Sequence, residues 1–269
     1  MSITVSTLYR YPIKSSSASN LKDINVLKTG FDCDRKWALF DETGQAMTGR
    51  QYQKILDLRI EIDTRGNGVI WVEDSRLAFI PQKTYGPTQN VRIFSNEVEG
   101  VQVHENIDKR LSDLLSKKCS LLEITQPANR PILEKHGGKE GDYFSFADQA
   151  PILLLSQASV DDLNGRLDDP IHALNFRPNI VVEGCDAFAE DSWKSVSIGE
   201  CEFEVLQLCE RCIFTTIDIH TKKKRADREP LKTLETYRRK PNGGVDFGIH
   251  LVARKTGKIK LGDSVRILA

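Results

Sequence analysis

The feature that most constrains the fold is a series of short, strand-like segments separated by tight turns. Segments 58–63 and 69–73 flank Asn67-Gly68, a dipeptide that supplies the positive φ angles of a tight hairpin. Segment 77–80 adds a third strand, and segments 37–40 and 46–48 predict another hairpin. A first strand over 3–7 alternates polar and apolar residues. Further strands are expected at 176–182, 196–198, 202–208, 249–253, 258–261 and 265–268. Many short strands with tight turns are typical of barrels and sandwiches.

Two helices are expected among these strands. Ile107, Leu111, Leu114 and Leu115 share one helical face, which predicts a helix over 106–118 with Asn106 as its N-cap. A second helix is predicted over 159–167, capped by Ser159. Segment 126–141 is rich in proline and glycine and predicts a loop between two lobes.

The predicted fold class is therefore mainly β with a few helices (α+β), built as two β-rich, barrel-like lobes. The boundaries are placed at residues 1–124 and 125–269, which suits a chain of 269 residues.

Composition excludes several classes of protein. Lys plus Arg and Asp plus Glu both total 38, so a net charge of zero argues against nucleic acid as a partner. No apolar run approaches the roughly 18 residues of a membrane span, and the N-terminus lacks a signal-peptide pattern. The six cysteines are too sparse for a disulfide scaffold. We therefore expect a cytoplasmic protein with reduced thiols and no membrane partner. Phosphate-binding loops, dinucleotide fingerprints, zinc-protease motifs and nucleophile elbows are absent from the sequence.

Cys209-Glu210-Arg211-Cys212 is the most distinctive local pattern. It allows a structural zinc site that recruits Cys201 and His220, although the spacing matches no standard finger. It also allows a redox pair, which usually requires a different strand and helix context. A third interpretation is a single thiolate on a soft metal, with Arg211 favouring the ionised sulfur. Two buried structural cysteines are the simplest alternative.

Several cationic residues lie beside residues that form turns or carry aromatic rings. They occur in 11–15 (Tyr-Pro-Ile-Lys-Ser), 34–37 (Asp-Arg-Lys-Trp) and 175–179 (Asn-Phe-Arg-Pro-Asn). A lysine beside hydroxyl and backbone N–H groups, together with arginine, is suited to holding phosphate. Taken singly, each is equally typical of a surface ion pair.

In order along the chain, these motifs resemble the MOSC-domain molybdenum-cofactor proteins that carry an N-terminal MOSC-associated β-barrel domain. That group includes the mitochondrial amidoxime-reducing components and their YcbX-like bacterial relatives. The motifs that carry the resemblance, besides those above, are Thr48-Gly49-Arg50-Gln51, Phe146-Ala147-Asp148, Ser156-Gln157-Ala158-Ser159, Glu190-Asp191-Ser192-Trp193, Thr215-Thr216-x-Asp218 and Glu229-Pro230-Leu231.

The resemblance implies a molybdenum cofactor (molybdenum with molybdopterin) and assigns site residues. Cys212 would be the metal ligand and the catalytic residue. The residues implied to bind the cofactor are Lys14, Ser15, Arg35, Asp148, Arg177, Glu210, Arg211 and His250. His250 stands where animal relatives commonly have tyrosine. Because cationic residues come from both lobes, the cofactor site is expected between them.

The implied activity is reduction of N-hydroxylated compounds such as amidoximes, hydroxamic acids and N-hydroxylated bases, independent of pyridoxal phosphate. Asp148 and His250 are the candidate proton donors. No ferredoxin domain or membrane anchor is recognisable, so electrons are expected from a separate ferredoxin, flavoprotein reductase or b-type haem protein. The alternatives are a cofactor carrier or sulfur-handling protein, and a silent β-rich binding protein.

Two departures from the family pattern concern one loop. Segment 217–222 lacks the Asp-Pro and Thr-Gly pairs of many relatives. The basic run from Lys222 to Arg225 is either a solvated loop or a docking patch for an acidic electron donor.

Overall fold

The computed structural model describes residues 2–125 and 130–269. In these residues it contains 18 β-strands and three α-helices, which confirms the mainly β fold with a few helices. The strands are β1 (Thr4–Arg10), β2 (Ser19–Leu21), β3 (Asp23–Leu27), β4 (Gly30–Phe31), β5 (Trp37–Asp41), β6 (Leu58–Ile62), β7 (Gly68–Val72), β8 (Ser75–Ile80), β9 (Thr88–Ile93), β10 (Asn96–Gln102), β11 (Cys119–Ile124), β12 (Ile152–Ser156), β13 (Ile180–Glu183), β14 (Ser195–Ile198), β15 (Cys201–Glu210), β16 (Asp246–Lys255), β17 (Gly257–Lys260) and β18 (Val265–Ile267). The α-helices are α1 (Glu105–Leu115), α2 (Gln157–Asn164) and α3 (Leu231–Tyr237). The 3₁₀ helices are Gln53–Asp57, Glu134–His136, Ala173–Phe176, Ala189–Ser192 and Ile213–Thr216.

The C-terminal lobe is built on an eight-stranded sheet that curves until β1 meets the start of β18. The strand order is β18-β14-β15-β16-β12-β13-β1-β2, and the β12–β13 pair is parallel. Thr4 at the start of β1 pairs with Ser264, just before β18, and the Val265 N–H donates to the Ile3 carbonyl at 2.8 Å. Buried apolar side chains from seven of the eight strands form one core cluster. These contacts bring the two sides of the sheet together around that core.

The N-terminal lobe contains two smaller sheets and α1. One sheet has the order β5-β11-β10-β9, and the other is the meander β6-β7-β8 predicted around Asn67-Gly68. Trp37, Leu111 and Leu121 are fully buried in the shared core. The lobe therefore has its own hydrophobic core.

The chain begins in the C-terminal lobe rather than in the N-terminal one. Strand β1 pairs with β13, and β3 pairs with β17. The chain then crosses to the N-terminal lobe before β5 and returns before β12. The sequence boundary at 124 stays a prediction, and the crossing segments carry several of the predicted site residues.

The helix boundaries differ from the sequence predictions. His104, rather than Asn106, caps α1: its Nδ1 accepts the Asn106 N–H at 3.1 Å. Ser156, rather than Ser159, caps α2, which ends at Asn164. The helix predicted to reach 118 stops at Leu115 because Ser116 has a left-handed backbone.

Two segments predicted as uniform contain a change of structure. Segment 176–182 divides into a 3₁₀ turn ending at Phe176 and strand β13, because Arg177 has a φ of 57°. In the predicted loop 126–141, residues 126–129 lie outside the described residues, and the remainder includes a 3₁₀ turn at Glu134–His136. Across the described residues, the helices are too short or too polar to cross a membrane.

Candidate functional site

All nine predicted site residues line one cleft between the two lobes. We call it the central cleft, and its volume is about 530 Å³. Lys14 and Ser15 lie in the loop between β1 and β2, and Arg35 lies in the segment that crosses from β4 to β5. The C-terminal lobe contributes Asp148, Arg177, Glu210, Arg211, Cys212 and His250. The predicted position of the site between the lobes thus matches the geometry, while the role of each residue stays a prediction.

Backbone pairing brings the first two motifs together. The Lys14 N–H donates to the Trp37 carbonyl at 2.8 Å, and the Arg35 N–H donates to the Tyr11 carbonyl at 2.8 Å. Ser15 has a φ of 69° and Arg35 a φ of 47°, so both are left-handed. Such a backbone costs a non-glycine residue about 1–3 kcal/mol, and it concentrates at functional sites.

Lys14 and Asp148 form an ion pair across the cleft. The Lys14 ammonium is 5% exposed, contacts the Asp148 carboxylate and also donates to the Phe146 carbonyl at 3.0 Å. Desolvation by the surrounding protein raises the pKa of Asp148, but the charge of Lys14 and its hydrogen bond outweigh this effect. The pKa of Asp148 therefore lies below its usual range. Burial lowers the pKa of Lys14, and Asp148 opposes that shift. Asp148 is therefore a carboxylate at neutral pH and is not a proton donor there.

Two arginines lie over the ring of Tyr11. The guanidinium carbon of Arg177 is 4.1 Å from the ring centroid and that of Arg35 is 4.4 Å from it. Arg35 also donates to the Asn179 Oδ1 at 3.0 Å, and Arg177 donates to the Ser16 carbonyl at 2.8 Å. Nη2 of Arg177 is buried without a hydrogen-bond partner among the described residues. The cleft thus holds two oriented cations, one with an unused donor.

The two cysteines of the Cys209–Cys212 motif differ in environment. Cys209 lies one residue before the end of strand β15 and is 5% exposed, with its sulfur 2.7 Å from Nη1 of Arg211. Burial raises the pKa of Cys209, and Arg211 only partly offsets that rise. Cys212 is an exposed free thiol at the start of the next 3₁₀ turn. A metal ligand must be ionised and reachable, so this geometry favours Cys212 over Cys209.

The zinc-site alternative finds no support in residues 2–125 and 130–269. No three His, Cys, Asp or Glu side chains lie together there as a metal-binding group. Glu210, the second residue of the motif, instead pairs through its Oε2 with Lys240 at 3.0 Å.

His250 on strand β16 lines the cleft and is 7% exposed. Burial, reinforced by the charges of Arg211 and Arg35, lowers the pKa of His250 to about 3. Its Nδ1 has no hydrogen-bond partner in the described part of the chain. At neutral pH His250 is therefore a neutral ring that is unsuited to supplying a proton as an imidazolium.

Comparison with known proteins places this architecture in a family. Residues 141–266 match the MOSC domain, and residues 2–118 match the MOSC N-terminal beta barrel domain. Mitochondrial amidoxime-reducing component 1 of Mus musculus is 33% identical over 98% of this chain and 82% of its own length. The Homo sapiens protein of the same name is 34% identical over 98% of this chain and 83% of its own length. The chain belongs to the MOSC family.

A solved structure with some likeness to this MOSC protein is the YUAD protein from Bacillus subtilis. The two share 12% sequence identity with a TM-score of 0.47. The comparison covers 98% of this chain and 94% of that chain.

The central cleft of this MOSC protein fits a phosphate-bearing cofactor whose metal accepts a thiolate. Lys14, Arg35 and Arg177 provide positive charge at fixed positions. Besides the Arg177 Nη2 and the His250 Nδ1, Nε of Arg211 is buried without a partner among the described residues. Buried polar atoms are normally satisfied, so atoms left open in a cleft indicate a ligand. The exposed Cys212 completes this donor set.

Several further residues of the cleft received no role from the sequence. Arg50 and Thr48 line it, although their Thr-x-Arg-Gln motif was recognised. Asn179 links the lobes by accepting from Arg35 while its amide donates to the Tyr9 carbonyl at 3.2 Å. Arg130, behind the residues that line the cleft, is 3% exposed and donates to the Ala147 carbonyl at 2.8 Å, which positions the loop before Asp148. For Arg50 and Asn179 the motif was the available signal, whereas Arg130 lies in no motif.

The basic run after Thr221 is partly neutralised. Arg225 pairs with Asp227 at 2.8 Å and with Asp169 at 2.6 Å. Asp218 forms the local turn in place of the family's Asp-Pro pattern, with its Oδ1 accepting the N–H groups of His220 and Thr221. These contacts favour the interpretation of a structured loop over that of a docking patch.

Proposed function

We propose that this MOSC protein is a molybdenum-cofactor-dependent oxidoreductase that reduces N-hydroxylated compounds. The observation that carries the proposal is the exposed thiol of Cys212 in a cleft lined by Lys14, Arg35 and Arg177. The relatives named as amidoxime-reducing components support the substrate class, because they align with nearly the whole chain.

The residues of the cleft divide by chemistry into those that would hold the phosphate, those that would hydrogen-bond the cofactor, the metal ligand and two paired carboxylates. Lys14, Ser15 and Arg35 would hold the phosphate of the cofactor through cationic groups and a left-handed turn. Arg177 and Arg211 would donate their unused N–H groups, and the neutral His250 would accept a hydrogen bond at Nδ1. Cys212 would be the thiolate ligand of the metal. Asp148 keeps Lys14 in place, and Glu210 flanks the ligand while paired with Lys240.

When bound, the molybdenum centre would supply two-electron redox chemistry. Reduction of an N–OH group to N–H consumes two electrons and two protons and releases water. Neither Asp148 nor His250 is in a proton-donating form at neutral pH, because the first is ionised and the second is a neutral ring. We therefore assign neither residue as the proton donor at neutral pH.

The electron source and the location of the protein belong to the same proposal. A separate donor protein, whether a ferredoxin, a flavoprotein reductase or a b-type haem protein, would deliver the electrons. We further propose a cytoplasmic location, which agrees with free thiols at all six cysteines.

The test is turnover by protein purified from a host that makes the cofactor. With a competent chemical reductant, the protein is expected to convert benzamidoxime to benzamidine, and Cys212→Ser is expected to lose this activity. Cys185→Ser makes the same change at a free cysteine that does not line the cleft, so it is the matched control and should retain the activity. Loaded protein without turnover, which instead passes its cofactor to an apo-enzyme, would favour the carrier alternative.

A further inference from the structure

A second cavity adjoins the central cleft. It has a volume of about 310 Å³, and we call it the side cavity. Its apolar lining includes Ala18, Leu56, Leu174 and Phe214, and its polar lining includes Asp218 and His220. A dry cavity of roughly 150 Å³ is enough to bind a benzene ring, so the side cavity has room for a ring with substituents.

The two spaces share one wall. Arg177 and Phe214 line both of them. Phe214 follows Cys212 by two residues on the same 3₁₀ turn, Ile213–Thr216. A 3₁₀ helix rises about 2 Å per residue, so the side cavity begins within one turn of the thiol.

Hydrogen bonds hold this wall in position. The amide Nδ2 of Asn175 donates to the carbonyls of Thr215 at 3.2 Å and Ile217 at 3.1 Å. Asn175 is itself 5% exposed and lies in the turn that precedes Arg177. The guanidinium of Arg177 stands 5.4 Å from the centroid of the Phe214 ring. The residues between the thiol and the side cavity are therefore held in fixed positions, which lowers the entropy cost of binding.

We propose that the side cavity binds the apolar, ring-bearing part of an N-hydroxylated substrate whose N–OH group lies at Cys212. This inference rests on the proposed function and specifies its substrate class. A cofactor bound by the cations of the central cleft would not occupy the side cavity, so its apolar walls would be free to contact the substrate. The lining by Leu56, Leu174 and Phe214 favours aromatic or compact aliphatic groups over charged ones.

The experiment fills the side cavity and compares a large with a small substrate. Leu174→Trp and Ala18→Phe each add a ring to the lining of the side cavity. Leu261→Trp places the same ring at an exposed position outside both spaces and is the matched control. Cofactor-loaded forms of all variants are assayed with benzamidoxime and with acetamidoxime. Thermal unfolding shows which of the variants are folded.

We expect the cavity-filling substitutions to impair the ring-bearing substrate and to spare the small one. Leu174→Trp should raise the KM for benzamidoxime about tenfold or more, while kcat/KM for acetamidoxime stays within about twofold of wild type. Leu261→Trp should change neither value. Equal effects on both substrates, or no effect of either cavity-filling substitution in folded protein, would overturn the proposal.

A binding measurement separates this proposal from the proposed function. Calorimetry with benzamidine and acetamidine requires no turnover, and wild type should bind benzamidine more tightly. Loss of that preference in Leu174→Trp and Ala18→Phe would support the side cavity even if no variant reduces an amidoxime. Equal binding of the two amidines to wild type would contradict the side cavity whatever the activity.

Discussion

Replacing Asp148 by asparagine should destabilise the cofactor-free protein, because Lys14 would lose its counter-ion. The Lys14 side chain is 5% exposed and the Asp148 side chain is 55% exposed. Breaking a fully buried pair costs about 3–5 kcal/mol, whereas exposed pairs contribute about 0.2–1 kcal/mol. Because solvent screens Asp148, we place the loss of unfolding free energy between these limits, at about 1–2 kcal/mol.

That loss converts to a shift in the melting temperature. For domains of 150–250 residues, 1 kcal/mol corresponds to about 2–4 °C, so Asp148→Asn should melt about 2–8 °C below wild type. Inorganic phosphate should recover more stability in the variant than in wild type, because it can replace the missing negative charge beside Lys14. The assay is thermal unfolding of cofactor-free protein with and without phosphate.

Asp113→Asn provides the matched control. Asp113 pairs with Lys109 at 2.9 Å, but the two side chains are 67% and 75% exposed. Its loss should stay below about 0.5 kcal/mol, with no response to phosphate. The reasoning would be refuted if Asp148→Asn melted within one degree of the control, or if phosphate stabilised all three proteins equally.

Two further predictions concern strand β16. The pKa of His250 is about 3 in the folded protein and about 6.5 in the unfolded chain. As the pH falls below 6.5, the imidazole is therefore protonated in the unfolded chain before it is protonated in the folded protein. The contribution of neutral His250 to the free energy of unfolding is therefore fully present above pH 6.5 and is lost progressively towards pH 3. Between pH 7.5 and 5.5, urea unfolding should show wild type losing about 1.4 kcal/mol more than His250→Gln, and parallel pH profiles would contradict this. Gly248→Ala would place a Cβ 2.8 Å from the Leu154 carbonyl oxygen at a φ of +78°, whereas a Cβ at Gly243, with a φ of +87°, meets no described atom within 4 Å. Urea unfolding should therefore show that Gly248→Ala loses at least about 1 kcal/mol more unfolding free energy than Gly243→Ala. Equal losses in the two variants would show that the close approach to the Leu154 carbonyl has no effect on stability.

Local patterns in the sequence predicted local structure well. Asn67-Gly68 located the β6–β7 hairpin, and the apolar spacing around Leu111 located α1. The cap of α1 was misplaced because a histidine side chain, which has a low cap preference, serves that helix. Strands β9 and β10 were missed because charged and polar residues occupy their exposed faces.

The long-range pairing of strands could not be predicted from the sequence, for a physical reason. The pairing of β1 with β13 joins segments far apart in the chain, and no periodicity in either segment specifies its partner. The left-handed backbones of Ser15, Arg35 and Arg177 are likewise imposed by tertiary contacts, against local preference. The site residues were predicted through ordered motifs rather than through geometry, so Arg130, which lies outside them, was missed.

The measurement that tests the central claim most directly is the molybdenum and pterin content of purified protein. Wild type, Cys212→Ala and Cys209→Ala should be produced together in a host that makes the cofactor, beside a known molybdenum enzyme. We expect near-stoichiometric molybdenum and pterin in wild type, a similar content in Cys209→Ala, and lost metal or an altered sulfur-ligand signature in Cys212→Ala. Wild-type protein without metal or pterin, beside a fully loaded control enzyme, would contradict the central claim.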